Sequence, residues 1–143
     1  MRGVGRIAVG FAVLSWMAAL SVVDIRQRRL PNRLTLPGAL VILVVATAAG
    51  RGVPALIGAA ALAGAYLVVH LLAPAAMGAG DVKLALGLGA LTAALGAEVW
   101  ALAALAAPLV TVVWAVVARA RTVPHGPSMC LATLAALLLV VWA

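Results

Sequence analysis

Charged side chains are so sparse in this 143-residue chain that they cut it into long uncharged stretches, spanning 7–23, 34–50, 52–80, 84–97, 99–118 and 122–143. A helix that crosses a bilayer needs about 17–25 predominantly apolar residues. Five stretches reach that length, and 84–97 reaches it only if its helix starts near Asp81. Ala, Leu and Val dominate, and uninterrupted alternation over strand-length segments is missing, which argues against a transmembrane β-barrel. Composition agrees: 67% of side chains are hydrophobic and 9% charged, against about 25% charged in a soluble domain. The pattern predicts an all-α polytopic membrane protein with about six transmembrane helices. Residues 1–143 form one membrane-embedded domain in this reading, with no room for a water-soluble one.

The net charge of +7 would suggest a nucleic-acid partner in a soluble protein. Here Arg26, Arg28, Arg29 and Arg33 crowd into one short loop beginning at Asp24. Short loops rich in Lys and Arg stay cytoplasmic during insertion, so this loop is read as an orientation signal and no nucleic acid is expected. With residues 24–33 inside, six alternating spans place seven positive charges inside (26, 28, 29, 33, 83, 119, 121) and three outside (2, 6, 51). The loop arginines also suit anionic membrane lipid, each contributing about 1 kcal/mol near the surface.

Arg2 and Arg6 followed by an apolar run resemble a secretory signal peptide, but Val22-Val23-Asp24 offers no small-x-small cleavage site. The run is therefore read as a retained first span. Pro and Gly mark the breaks at Leu30-Pro31-Asn32, Leu36-Pro37-Gly38, Gly50-Arg51-Gly52-Val53-Pro54, Pro74 and Pro124-His125-Gly126-Pro127. Gly58, Gly64, Gly87, Gly89 and Gly96 are read as packing positions where helices approach closely. His70 is expected to make an interhelical hydrogen bond. Trp100 and Trp142 suit interface anchoring, Trp16 and Trp114 packing, and Glu98 the outer turn. One cysteine, Cys130, and two distant histidines supply no ligand set for a metal, so neither metal nor cofactor is expected.

Three carboxylates remain to be explained, and two matter. Asp24 ends the first span and Asp81 begins the fourth, which puts both on the same side at similar depth. An ionisable group at that depth is read as functional by default, a cap or solvated charge being the plain alternative. In Gly78-Ala79-Gly80-Asp81-Val82-Lys83 the glycines allow a second segment to approach the carboxylate. Asp81 also suits an N-cap, where the helix dipole favours its charge. Lys83 either orients that site or serves as a positive-inside anchor.

These residues carry a resemblance. Gly78-Ala79-Gly80-Asp81-Val82-Lys83-Leu84 resembles the GxGD signature of intramembrane aspartic peptidases in the form used by type IV prepilin peptidases. Asp24-Ile25-Arg26-Gln27-Arg28-Arg29-Leu30-Pro31-Asn32 is similar to that family's first-aspartate motif, and Pro124-His125-Gly126-Pro127 to its late segment, where an aromatic more often replaces His125. The resemblance implies that Asp24 and Asp81 are the catalytic pair, with Gly78, Gly80, Lys83, Pro31 and Asn32 in support. It implies a membrane aspartic endopeptidase, multi-pass in the cell membrane, that cleaves leaders from prepilin or pseudopilin precursors at the cytoplasmic face. Larger members add a four-cysteine methyltransferase extension. With one cysteine and a first helix from about residue 7, this chain resembles the compact peptidases of tight-adherence (Flp) pilus systems.

Two aspartates without metal suit peptide hydrolysis, because one activates water while the other supplies a proton. The alternative function is a small non-enzymatic membrane subunit of an assembly or transport system, with the acids as caps or a relay. A relay would place acids mid-span, whereas these lie at helix ends.

Overall fold

The computed structural model describes residues 2–143, which form six helices and no strand. They are α1 (Arg2–Gln27), α2 (Asn32–Ala48), α3 (Gly52–Leu72), α4 (Ala79–Leu95), α5 (Ala97–Val117) and α6 (His125–Trp142). Helices α1, α3, α5 and α6 are long and apolar enough to cross a membrane. Helices α2 and α4 have 17 residues each, about 25 Å at 1.5 Å per residue, a little short of the ~30 Å hydrocarbon core.

Helix α4 bears Asp81 and Lys83, and its position makes this tolerable. It packs against α2, α3, α5 and α6, which makes it the axis of the bundle. Its buried residues, among them Leu84, Ala85, Leu88, Ala90 and Ala93, lie on every side of the helix. Apolar character all round is what a fully enclosed helix requires. The outer helices instead present Phe11, Leu72, Leu105 and Val116 outward, a surface suited to acyl chains and unsuited to water.

Small residues set how close the helices come. A Cβ on Gly89 would lie 2.5 Å from the Gly58 carbonyl oxygen, and one on Gly58 would collide with Ala93, so α3 and α4 touch backbone to backbone. Gly87 makes room for Trp16, whose Cη2 would stand 2.9 Å from a Cβ there. Gly96 alone links α4 to α5, with φ of 152°, a conformation closed to L side chains. Gly64 departs from expectation: nothing approaches within 4 Å of a Cβ at that position, because it faces away from α4.

Three polar side chains also differ from their sequence reading or refine it. His70 Nδ1 meets the Met77 carbonyl at 2.6 Å in the α3–α4 loop, not a second helix, because the loop leaves carbonyls without helical partners. Trp100, read as an interface anchor, donates its indole N–H to the Gly58 carbonyl at 3.1 Å and ties α5 to α3. Trp16 packs as expected and donates to the Leu34 carbonyl at 2.7 Å, tying α1 to α2. At one end of the bundle Arg51 Nε donates to the Ala94 carbonyl at 2.8 Å, holding the α2–α3 loop against the end of α4. The other end carries the two aspartates.

The α3–α4 crossing is directly testable. Gly89→Leu should destabilise the protein by about 1–3 kcal/mol through overpacking, while Gly64→Ala should leave its thermal midpoint in detergent in place. Equal melting of wild type and Gly89→Leu would show that the two helices do not meet at this glycine.

Candidate active site

Asp24 lies in the last turn of α1 and Asp81 in the first turn of α4, and both line one cavity of about 650 Å³ at the same end of the bundle. The same cavity is lined by Pro31, Asn32, Gly78, Gly80 and Lys83, so all seven residues singled out in the sequence come together. Arg28, Arg29 and Arg33 complete its rim. Four cations therefore surround two carboxylates.

The turn that brings the first motif to the second is locked locally. Pro31 caps α2 with an extended backbone (φ −72°, ψ 140°), and its carbonyl accepts from the backbone N–H groups of Leu34 and Thr35. Fully buried Thr35 adds a hydroxyl bond to the same carbonyl at 3.2 Å. Leu30 is thereby pressed under the start of α4. A Cβ on Gly80 would stand 2.9 Å from Leu30 Cβ and 3.4 Å from its backbone nitrogen. Glycine at position 80 is what admits this contact. Lys83 Nζ then donates to Asn32 Oδ1 at 2.6 Å, joining the two motifs directly.

Asp81 differs from its sequence reading. The N-cap position that would also suit it is occupied by Gly78 (φ −74°, ψ 152°), and Asp81 is the third residue of the helix. The helix thus starts three residues earlier than an Asp81 cap would give, which puts Gly80 in its first turn, against Leu30. The carboxylate keeps the favourable field of the helix N-terminus. It lines the cavity together with Asp24.

Asp24 has the opposite electrostatic setting, at the C-terminal end of α1, where the dipole disfavours an anion. It is 6% exposed. Compensation comes from the start of α6, where the Gly126 N–H donates to Asp24 Oδ2 at 3.0 Å. That amide is one of the helix-start donors without an intrahelical acceptor. A Cβ on Gly126 would lie 2.5 Å from the same oxygen, so only glycine leaves room for the carboxylate. The segment Pro124–Pro127, read as a break before the last helix, forms its first turn, with Pro124 as the N-cap.

Sequence reasoning quoted Gly126 within a motif but gave it no role. It also missed that His125 bonds to Tyr66 and Thr111. Single polar residues inside apolar helices carry no periodic signal. Only the Pro-x-Gly-Pro pattern pointed to that turn. Among the described residues, no three His, Cys, Asp or Glu side chains gather as a metal site would require.

With Cys130→Ala as background, Asp24→Cys together with Asp81→Cys should be bridged by a short bifunctional thiol reagent added to membranes. Gly64→Cys together with Asp81→Cys should not be. Failure of the first pair, with each single cysteine accessible to a monofunctional reagent, would place the two positions in different cavities.

No curated protein and no solved structure matches the chain. Residues 11–143 match the Type IV leader peptidase family, and with the match covering nearly the whole of a multi-pass helical bundle, the chain belongs to that family of peptidases.

Proposed function

We propose that the protein is an aspartic endopeptidase that removes the leader from prepilin- or pseudopilin-like precursors at the cytoplasmic face of the cell membrane, with Asp24 and Asp81 as the catalytic pair. The observation that carries this reading is the shared cavity: two carboxylates, 57 residues apart in sequence, line one polar chamber at a bundle end. Family membership supports leader cleavage in general.

The chemistry follows from the pair. Two nearby carboxylates do not both ionise easily, so they hold one proton between them. The ionised member takes a proton from water as the oxygen attacks the scissile carbonyl. The protonated member hydrogen-bonds the carbonyl oxygen and stabilises the tetrahedral intermediate. The proton taken from water passes to the leaving nitrogen as the C–N bond breaks, giving a carboxyl and an amine. The titration belongs to the pair and not to either residue. The Gly126 N–H and the Lys83–Asn32 tie hold the chamber in shape while protons move.

Orientation rests on charge. The chamber end carries the arginines of 24–33, Lys83 and the loop bearing Arg119 and Arg121, and the positive-inside bias supports a cytoplasmic placement of that end. Reporter fusions after Arg33, Lys83 and Arg121 should therefore report cytoplasm, and fusions after Arg51 and Glu98 the outside. A cytoplasmic report at Glu98 would mean that α4 does not traverse the bilayer.

Cleavage of a purified precursor by purified protein in lipid tests the chemistry. Asp24→Asn and Asp81→Asn should each lower the rate by at least the 10²–10⁴-fold associated with a lost general acid or base. Both variants should still insert, since removing a charge lowers the insertion cost. Chelators should leave the wild-type rate unchanged, given the donor set. Normal processing by both Asn variants would remove the two aspartates from the chemistry, whereas no cleavage by the purified wild type would favour the non-enzymatic membrane subunit.

A further inference from the structure

The residue immediately before the Gly126 amide has its ring gripped on both nitrogens. Tyr66 Oη lies 3.1 Å from His125 Nε2, and Thr111 Oγ1 lies 2.6 Å from Nδ1. The Tyr66 and His125 rings are tilted by 51° with centroids 5.6 Å apart. Tyr66 belongs to α3, Thr111 to α5 and His125 to the first position of α6, so three helices meet at one imidazole.

Counting protons gives the arrangement. The Thr111 hydroxyl also lies 3.1 Å from the Ala107 carbonyl oxygen, and it has one proton to give. If that proton goes to Ala107, Nδ1–H donates to Thr111 and Nε2 accepts from Tyr66. This neutral tautomer makes all three contacts. The other neutral tautomer makes only two, leaving Ala107 without the hydroxyl proton. The ring is thus held at both ends by hydroxyls. Its backbone is equally restrained, since prolines with fixed φ stand at positions 124 and 127.

Glycine at position 126 would otherwise be the most mobile point in this turn. Its N–H is nevertheless the donor that holds Asp24 Oδ2 at 3.0 Å. We propose that His125, clamped by Tyr66 and Thr111, is a positioning residue that sets the Gly126 amide and, through it, the direction of the Asp24 carboxylate. The kinetic consequence rests on the peptidase reading above, whereas the structural consequence can be measured without it.

His125-Gly126 is the sole His-Gly pair in the chain. Carbonyl-¹³C histidine with ¹⁵N glycine therefore gives one cross-peak in a carbonyl-to-amide correlation spectrum of the full-length protein in detergent. Asp24→Asn should shift that peak. Tyr66→Phe and Thr111→Val, which keep side-chain shape and lose one hydroxyl each, should also shift it. Each should speed hydrogen exchange at this amide by about three- to tenfold, as the loss of one hydrogen bond implies. Thr111→Ser should return both readouts towards wild type.

In the cleavage assay, Tyr66→Phe and Thr111→Val should lower kcat by about three- to tenfold with KM unchanged. In a His125→Phe background Tyr66→Phe should add nothing, because both act through the same ring. If the His125–Gly126 amide keeps its shift and exchange rate in both Tyr66→Phe and Thr111→Val, the clamp does not set it and the proposal is overturned. If Asp24→Asn cleaves normally, the catalytic-pair reading falls while the amide measurement still decides the clamp.

Discussion

The enclosure of α4 is the constraint on which the rest of the bundle depends. A helix that brings an aspartate and a lysine to the membrane interface and is studded with glycines cannot face lipid over its length. It has to be wrapped by α2, α3, α5 and α6. Wrapping is possible only because the glycines let the neighbours come to backbone contact, as Gly89 does with Gly58. Association in lipid gains little from hydrophobicity and much from such close packing. The feature that lets α4 be buried thus also allows the segment bearing Leu30 to lie against Gly80, one residue before Asp81.

Much of this was legible in the sequence, and for a physical reason. Water is absent from the bilayer core, so each span must satisfy its backbone internally. Uncharged runs and Pro/Gly breaks then translate almost directly into six helices. The cavity was legible because most of its lining lies in two short motifs at helix ends. What was not legible depends on where a side chain points. Gly64 and Gly89 look alike in sequence, yet one faces open space and the other a neighbouring backbone. Asp81 looked like a cap, but the close fit of Gly80 against Leu30 moved the helix start to Ala79. Tyr66, Thr111 and His125 are separated by 45 and 14 positions, and only the crossing of α3, α5 and α6 reveals them as one cluster.

The two aspartates sit in contrasting electrostatic settings, and the contrast bears on how such a pair can work. Asp81 lies at the favourable end of its helix. Asp24 lies at the unfavourable end of α1 and receives a donor from another helix. A carboxylate that relies on a single borrowed N–H is sensitive to the placement of that donor. A carboxylate stabilised by the field of its own helix is less so. The fold therefore concentrates its positional requirement at Asp24, in a turn bounded by two prolines and lacking the one Cβ that would displace it.

Four cations around the chamber act in the same direction on both acids. Their effect depends on depth, since water screens charges at the rim more strongly than those at the chamber floor. Arg29 and Arg33 are exposed and face solvent and headgroups, whereas Lys83 is committed to Asn32. Lysine is a compact charge on a flexible stem, and its partner here is a neutral amide. The tie to Asn32 fixes the start of α2 against α4, so the two motifs that carry the carboxylates meet through one directed bond in the chamber lining.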